Sequence, residues 1–511
     1  MENSSKTSPK TKGSRLGTSA LVLTASKVAT MLISLVAGAL MARYRTLTEY
    51  GTYSQMLLVI HLVNSILLLG LPNSLNYFLA RAEDKQSKRE FLSVYYTLNT
   101  ILSILVGIVL VICIPLMEAY FDNPLIRTFA YFLMIYPWAH IITSSVENLL
   151  VASGRNTTVV IYRVIHSIVY LGTVILVKSM SWNFRVFMVL LVASDVIFTL
   201  VVYVLAYRTA GGLRVRFDKE MTARILKYSV PIGLASIVGT INIEIDKLMI
   251  GGMTDTETMQ IYTLASRELP VSIVAASLTA VLLPRFAAMM KQKREREAVK
   301  LWSHAIYLSL AVIALIAAGC IAFAPQVIDL IYSPKYLPGV NVFRIYCLVL
   351  LLRCTYFGII LNASGHTRSV VYSSLISMAV NVALNYALYR LLGLVGPAIA
   401  SLLSAVAMNM SQLAFSSKAV KVPFRKIFPW GNCLKLVLIN GAMAAIFVVI
   451  QQILPLEKPL AKMLLNVFSL GGSWGEIIEA IILGIVWSAV YVVLLLPSIK
   501  KHWKALNAVQ Q

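Results

Sequence analysis

Long apolar stretches separated by short polar connections recur along almost the whole of this 511-residue chain. A hydrocarbon core about 30 Å thick requires roughly 20 apolar residues per helix, and windows of that size occur about fourteen times. Backbone groups that face lipid must be hydrogen-bonded within their own segment, so such stretches fold as helices. The sequence therefore predicts an all-α integral membrane protein with about 14 transmembrane helices.

Composition agrees with this interpretation. A chain with 58% hydrophobic and 13% charged residues has too few polar side chains to form a surface that faces water. The first apolar run is too long for a secretory signal and has no small-residue cleavage site, so we expect it to stay as a helix. The predicted spans are 16–42, 53–79, 91–116, 125–150, 157–178, 184–207, 225–250, 259–283, 302–328, 340–363, 369–392, 394–417, 433–455 and 476–497.

The formal net charge of +23 is concentrated in alternate connections between the spans. If the N-terminus is cytoplasmic, the cytoplasmic connections collect most of the lysines and arginines, as the positive-inside rule requires. An even number of spans then places the C-terminus in the cytoplasm as well. Basic residues spread in this way do not form a patch for nucleic acid, so no nucleic-acid partner is expected.

Residues 151–160 and 362–371 are nearly alike, and Pro72 falls opposite Pro284 at almost the same offset. Six spans per repeat is an even number, which predicts two six-helix lobes of equal orientation, related by a parallel internal repeat, plus two C-terminal helices. The predicted organisation is a basic cytoplasmic tail (1–15), an N-lobe with helices 1–6 (16–210), a cytoplasmic linker (211–224), a C-lobe with helices 7–12 (225–418), helices 13–14 (419–498) and a cytoplasmic tail (499–511).

Ionisable side chains in the middle of apolar spans are costly unless they face a hydrated cavity or a partner, so each is a candidate functional residue. The set includes several deep cations, whose ammonium and guanidinium groups suit phosphate oxygens. An anionic substrate is therefore favoured over a cationic one. The members are Lys27, His61, Glu147, Arg163, His166, Asp195, Glu244, Asp246, Lys247, Arg267, Glu268, Arg344 and Arg353.

Lys27 is a strong candidate for a cavity cation, since it lies among hydroxyl residues in an otherwise apolar helix. Arg353 is preferred to Arg344 because it lies deeper in apolar sequence. The adjacent pairs 246–247 and 267–268 allow two interpretations, because successive helical residues point about 100° apart. One member of each pair can face a cavity while the other forms a salt bridge or reaches the membrane interface.

Polar residues of two other kinds are less informative. Asn381 and Asn385 share a helix face and could contact sugar hydroxyls or a neighbouring helix. Isolated histidines such as His61 and His166 are more often structural than proton carriers.

The five cysteines and the absence of HExxH or Walker motifs predict no metal site, no cofactor and no ATP hydrolysis. We therefore do not expect an enzyme.

Four segments in a fixed order resemble the polysaccharide exporter branch of the MOP flippase superfamily, which includes the Wzx-type flippases for O-antigen and capsule. They are residues 42–53, 69–72, 228–233 and 246–251, and the Ala-Arg-Tyr sequence at 42–44 is the most specific of them. The resemblance covers the twelve repeated spans.

The resemblance implies a flippase that moves an undecaprenyl-diphosphate-linked oligosaccharide from the cytoplasmic to the periplasmic leaflet of a bacterial inner membrane by alternating access. It implies diphosphate-binding cations near spans 1 and 8, a role that falls only on Lys27 and Arg267 here. The pattern of mid-span charges itself makes Arg353, Arg344 and Lys247 further candidate cavity cations. It further implies membrane lipids and a polysaccharide polymerase as partners, and coupling to H⁺ or Na⁺ through Asp246 or Glu268.

Three alternatives remain open from the sequence. A lipid II flippase also has fourteen helices, of which the last two form a groove for the lipid tail. A cation-coupled multidrug exporter is less favoured, because the charge in the first span is a lysine and not an acid. A scaffold of a polysaccharide assembly complex would use the buried charges only as ion pairs.

Overall fold

A computed structural model of the chain describes residues 10–453 and 474–508. Every regular element in these two ranges is a helix, which confirms the all-α prediction. The chain divides into two compact units, Met1–Thr240 and Ile241–Gln511, here called the first and the second unit.

The first unit contains ten complete helices and most of an eleventh. They are α1 (Lys10–Tyr44), α2 (Leu47–Leu67), α3 (Pro72–Arg81), α4 (Lys85–Ile112), α5 (Ile114–Phe121), α6 (Leu125–Thr128), α7 (Ala130–Ser144), α8 (Val146–Ala152), α9 (Asn156–Ser179), α10 (Phe184–Ala210) and α11 (Lys219–Gly251).

The second unit continues from the end of α11. Its helices are α12 (Thr256–Ala265), α13 (Ile273–Lys291), α14 (Glu295–Ala322), α15 (Ala324–Ile331), α16 (Val340–Leu351), α17 (Ile359–Ala363), α18 (Thr367–Leu392), α19 (Val395–Ala419), α20 (Phe424–Ile427), α21 (Trp430–Ile453) and α22 (Trp474–Ala508), with 3₁₀ turns at Pro270–Ser272 and Pro334–Gly339.

The predicted spans correspond to these helices. Eleven helical segments of the described chain are long and apolar enough to cross a membrane, and α2 and α3 form a further span that bends by 44°. The remaining two predicted spans, 125–150 and 340–363, fall on helices broken into α7 with α8 and α16 with α17. The end of the thirteenth predicted span, at 454–455, lies outside the described residues.

The internal repeat is visible in where the helices break. In each set of six spans the second and the fourth are interrupted, at α2/α3 and α7/α8 in the first unit and at α12/α13 and α16/α17 in the second. The duplicated motif ends a helix in the same way in both copies, with Gly154 at φ 72° and Gly365 at φ 79°. After each glycine, the next amide donates to the carbonyl five residues earlier at 2.8 Å, the hydrogen bond that closes a Schellman motif.

The break between α2 and α3 depends on glycine. Gly70 has φ 72°, and a Cβ atom added there would lie 2.7 Å from the backbone nitrogen of Gly233 on α11. A Cβ on Gly233 would lie 2.2 Å from the carbonyl carbon of Leu69. Two backbones can approach this closely only where neither residue has a side chain. The break therefore packs directly against α11 within the first unit.

Each unit has its own buried core. In the first unit, Phe91, Tyr95 and Tyr96 of α4 pack with Leu149 of α8 and Val202 of α10. In the second unit, α14 packs against α13 and α16 and also against the two helices outside the repeat, α21 and α22.

Aromatic packing attaches α21 and α22 to the second unit. Trp487 of α22 stacks on Phe447 of α21 at 5.3 Å between ring centroids. The Tyr491 hydroxyl donates to the carbonyl of Ala311 in α14 at 2.8 Å. The added helices are therefore integral to the packing of the second unit.

Candidate functional site: two clusters of cations

Two mid-span cations of the first unit meet at one mid-span carboxylate. The Lys27 ammonium on α1 lies 3.2 Å from Oε1 of Glu147, and the Arg163 guanidinium on α9 contacts the other carboxylate oxygen. Glu147 lies in the first turn of α8, directly after the break at Ser145. We call Lys27, Glu147 and Arg163 the first cation cluster.

The first cation cluster carries a net positive charge and is open on one side. The side chains of Lys27 and Glu147 are 54% and 39% exposed, whereas that of Arg163 is 15% exposed. Two cations face one carboxylate, which leaves a formal charge of +1. Charges on membrane-spanning helices are costly against lipid, so a hydrated space is the environment that suits this cluster.

Arg163 has an unused donor. Its Nη1 atom is buried and has no hydrogen-bond partner among the described residues. Leaving a buried charged donor unsatisfied costs more than the net value of the bond it would make. An arginine in this state beside a lysine is therefore well suited to receive an oxygen of an anionic ligand.

The Ala-Arg-Tyr segment helps to place this cluster. The Lys178 ammonium lies 3.8 Å from the centre of the Tyr44 ring, and Arg45 donates to the carbonyl of Trp182 at 3.1 Å. These contacts join the C-terminal ends of α1 and α9. Lys27 lies 17 residues before Tyr44, which is roughly 25 Å along a helix. Arg163 precedes Lys178 by a similar length of helix. Because α1 and α9 pack in parallel, Lys27 and Arg163 lie at about the same depth along the two helices.

The second unit has a comparable group, formed where two spans are broken. Arg353, in the break between α16 and α17, donates through Nε and Nη2 to Oε1 of Glu268 at 3.0 and 2.8 Å. Glu268 lies in the break between α12 and the turn at Pro270, because Leu269 must be extended before proline. The adjacent Arg267 is exposed, and its guanidinium has no ion pair within the described part of the chain. Arg267, Glu268 and Arg353 are called the second cation cluster.

Asp246 has a different environment from the clustered charges. It is 4% exposed, and its Oδ2 accepts hydrogen bonds from the hydroxyls of Tyr262 at 3.0 Å, of Tyr346, and of Ser401 at 3.5 Å. These donors come from three different helices. Hydroxyl oxygens beside a buried carboxylate are ligands that suit a small cation, and the Lys247 ammonium also interacts electrostatically with this carboxylate.

Lys247 and Arg344 are engaged locally. The Lys247 ammonium bonds Glu244, one turn earlier on α11, at 2.8 Å. Arg344 donates to the carbonyl of Ile321 at 3.3 Å and to Asn341 at 3.2 Å. The Lys247 ammonium also interacts electrostatically with Glu268, so it borders the second cation cluster without bonding to it.

Asn381 and Asn385 are buried between α18 and α19. Asn385 donates to Oδ1 of Asn381 at 2.6 Å, and Asn381 donates to Ser404 at 3.2 Å and to Ser401 at 3.3 Å. Since Ser401 in turn bonds Asp246, this amide network supports the buried carboxylate. The shared helix face expected from the sequence is present, and it points to a neighbouring helix.

The histidines of the first unit also have partners. Nε2 of His166 lies 2.9 Å from the carboxylate of Asp195 on α10, and the rings of His61 and His140 are 5.9 Å apart. These contacts join adjacent helices. Within the described residues, these two contacts do not involve Lys27, Glu147 or Arg163.

Sequence reasoning did not assign a role to Glu147 or Arg163, although both were visible as mid-span charges. The signal that could have singled them out is their position on either side of the duplicated motif at 151–160. That motif is the turn joining α8 to α9, and a tight turn brings the adjoining ends of its two helices together.

Comparisons with known proteins agree with this architecture. No curated protein sequence matches the chain. Among solved structures, the lipid II flippase MurJ in an inward closed conformation matches with a TM-score of 0.67 and 14% identity, over 93% of this chain and 100% of that one. An inward-facing multidrug resistance MATE family transporter of the MOP superfamily matches with a TM-score of 0.63 and 16% identity, over 77% and 96%.

A second multidrug resistance MATE family transporter, in an outward-facing conformation, matches with a TM-score of 0.52 and 16% identity, over 80% and 95% of the two chains. At these identities the structural matches show the fold of a multi-span membrane transporter. The sequence model for the family described as "Polysaccharide biosynthesis protein" matches residues 40–341, which is more than half of the chain. The chain therefore belongs to this polysaccharide biosynthesis family, in agreement with its resemblance to the polysaccharide exporter branch of the MOP superfamily.

Proposed function

We propose that this protein is a flippase for an undecaprenyl-diphosphate-linked oligosaccharide, used to build a polysaccharide such as O-antigen or capsule. The observation that carries the proposal is the first cation cluster, in which a lysine and an arginine on membrane-spanning helices share one carboxylate and keep a net positive charge. A diphosphate headgroup supplies the anionic oxygens that such donors bind. Family membership supports polysaccharide biosynthesis as the context.

Each unit is proposed to offer two cations to a diphosphate. They are Lys27 and Arg163 in the first unit, and Arg267 and Arg353 in the second. Lys247 and Arg344 are proposed to support the backbone and the charges around them, because their donors are already engaged. Asn381 and Asn385 are proposed to position Asp246 and not to bind sugar, because they are buried against α19.

Of the two carboxylates considered for ion coupling, Asp246 fits that role better. Glu268 is already paired with Arg353, whereas the side chains that donate to Asp246 within the described part of the chain are neutral hydroxyls. We propose that Asp246 binds the coupling ion, H⁺ or Na⁺, during alternating access. We also propose that the protein lies in a bacterial inner membrane with both termini in the cytoplasm.

A lipid II flippase is the second candidate, and one observation favours it. The described helices α21 and α22 lie outside the repeat of two six-helix sets and pack against α14. The MurJ match extends over 93% of this chain, against 77% and 80% for the two MATE transporters. Lipid II also carries a diphosphate, so the cation clusters alone fit both substrates.

Depletion of the protein in cells separates these candidates. Complete undecaprenyl-linked repeat units should accumulate on the cytoplasmic face, and Lys27→Ala or Arg163→Met should fail to restore export at normal protein levels. Lys435→Ala is the matched control, because Lys435 is an exposed lysine on a membrane-spanning helix outside the repeat. Accumulation of lipid II would select the second candidate. Normal distribution of both lipids would reject both, leaving a drug exporter or a scaffold.

A further inference from the structure

In each unit one glutamate pairs with cations of the cluster. Glu147 occupies Lys27 and Arg163 in the first unit, and Glu268 occupies Arg353 in the second. These three cations are among the four that the proposed function assigns to the diphosphate; the fourth, Arg267, has no ion pair within the described part of the chain. A carboxylate and a phosphate compete for ammonium and guanidinium donors, since both present anionic oxygens at hydrogen-bonding distance.

The two glutamates lie beside interruptions of their spans. Glu147 lies in the first turn of α8, just after a helix break, and Glu268 lies in the irregular segment before Pro270. Neither residue sits in the middle of a continuous helix, where a shift would disrupt the hydrogen-bond ladder. Both are more than one third exposed, so each can turn away from its cations toward water.

The internal pairing leaves the first cation cluster incompletely satisfied. Glu147 has two oxygens for an ammonium and a guanidinium, and Nη1 of Arg163 remains buried without a hydrogen bond in the described structure. A diphosphate has more oxygens and more negative charge than one carboxylate. It can therefore complete the coordination that Glu147 cannot, and it matches a cluster that retains a positive charge.

We propose that Glu147 is an internal counter-ion that competes with the substrate's diphosphate, giving up Lys27 and Arg163 when the substrate binds and returning to them when it leaves. Glu268 does the same for Arg353 in the second unit. This inference rests on the proposed function. It adds that affinity is limited by a built-in competitor, because a ligand held too tightly by unopposed cations could not be released on the other side.

Substitution of Glu147 distinguishes this role from a structural one. Glu147→Gln keeps the size of the side chain and removes the competing charge, so purified full-length protein should bind inorganic pyrophosphate at least about tenfold more tightly. Glu147→Asp keeps the charge and should stay within a few-fold of the parent. Glu118→Gln is the matched control: Glu118 also pairs with an arginine, Arg127 at 2.6 Å, outside the cation clusters, and its loss should leave binding unchanged.

Calorimetric titration with pyrophosphate and flipping in proteoliposomes are both measured on these variants. The expected pattern for Glu147→Gln is tighter pyrophosphate binding with a lower KM and a lower maximal rate of flipping, because release becomes slow. Unchanged or weaker binding would overturn the proposal, since a residue that only holds the cations in place would weaken the site when neutralised. If Glu147→Gln does not fold, Glu268→Gln makes the same test in the second unit.

The proposed function can fail separately. If the parent protein flips no lipid-linked glycan but Glu147→Gln still binds pyrophosphate more tightly, the counter-ion role stands and the substrate assignment is wrong. If the parent flips the glycan and Glu147→Gln leaves pyrophosphate affinity unchanged, the substrate assignment stands and the counter-ion role is wrong.

Discussion

Replacing Arg163 with methionine should weaken diphosphate binding by about ten- to a hundredfold. The change removes one of the two cations around Glu147, so the formal charge of the first cation cluster falls from +1 to zero. A unit charge about 4 Å from an anion contributes about 4 kcal/mol at an effective dielectric constant near 20. Because water reaches Lys27 and Glu147, screening reduces this interaction energy to about 1.4 to 2.8 kcal/mol. That range corresponds to the expected increase in Kd of about ten- to a hundredfold.

The assay is calorimetric titration of purified protein with inorganic pyrophosphate, followed by flipping of the lipid-linked glycan. Arg127→Met is the control, because Arg127 also pairs with a glutamate but is 69% exposed and separate from the cluster in the contacts that it makes. Affinity within twofold of the parent for Arg163→Met, with normal thermal stability, would refute the assignment of Arg163 to the anion site.

Three further predictions concern packing, ion coupling and the added helices. Gly70→Ala should lower the melting temperature of the purified protein, because its Cβ would lie 2.7 Å from the Gly233 backbone and its φ of 72° disfavours alanine; an unchanged melting temperature would show that the α2/α3 break relaxes freely. Asp246→Asn should remove the dependence of flipping on an imposed H⁺ or Na⁺ gradient while preserving pyrophosphate binding, and a retained dependence would exclude Asp246 as the coupling site. Tyr491→Phe should cost about 1 kcal/mol of stability through loss of the 2.8 Å bond to Ala311, measured by thermal unfolding, and no change would mean that this bond does not hold α22 in place.

The fold could be predicted because bilayer thickness and hydrogen-bond satisfaction leave a membrane chain few choices. The same physics explains what was missed. Hydropathy windows average over about 20 residues, so they identified the spans at 125–150 and 340–363 without detecting that each is broken. At α12/α13, by contrast, Pro270 marks a break that was readable in principle.

The sequence was enough to predict the chemistry of the candidate site, but not which charged side chains pair with each other. A lysine at position 27 and arginines at 267 and 353 stand out in apolar sequence because isolated charges there are costly. Which charges meet depends on helix packing: Glu147 joins Lys27, 120 residues away in sequence, to Arg163 on the next helix. The two asparagines on α18 illustrate the same point, because their shared face followed from helical periodicity while their partner helix did not.

The most direct test of the proposed function is flipping by the purified protein in proteoliposomes that contain an undecaprenyl-diphosphate-linked oligosaccharide. The fraction of glycan that an added, membrane-impermeant glycosidase can reach should rise with time for the parent protein. It should stay at the level of empty liposomes for a variant that combines Lys27→Ala with Arg163→Met. Equal accessibility with the parent protein and with empty liposomes, in the presence of either ion gradient, would contradict the account.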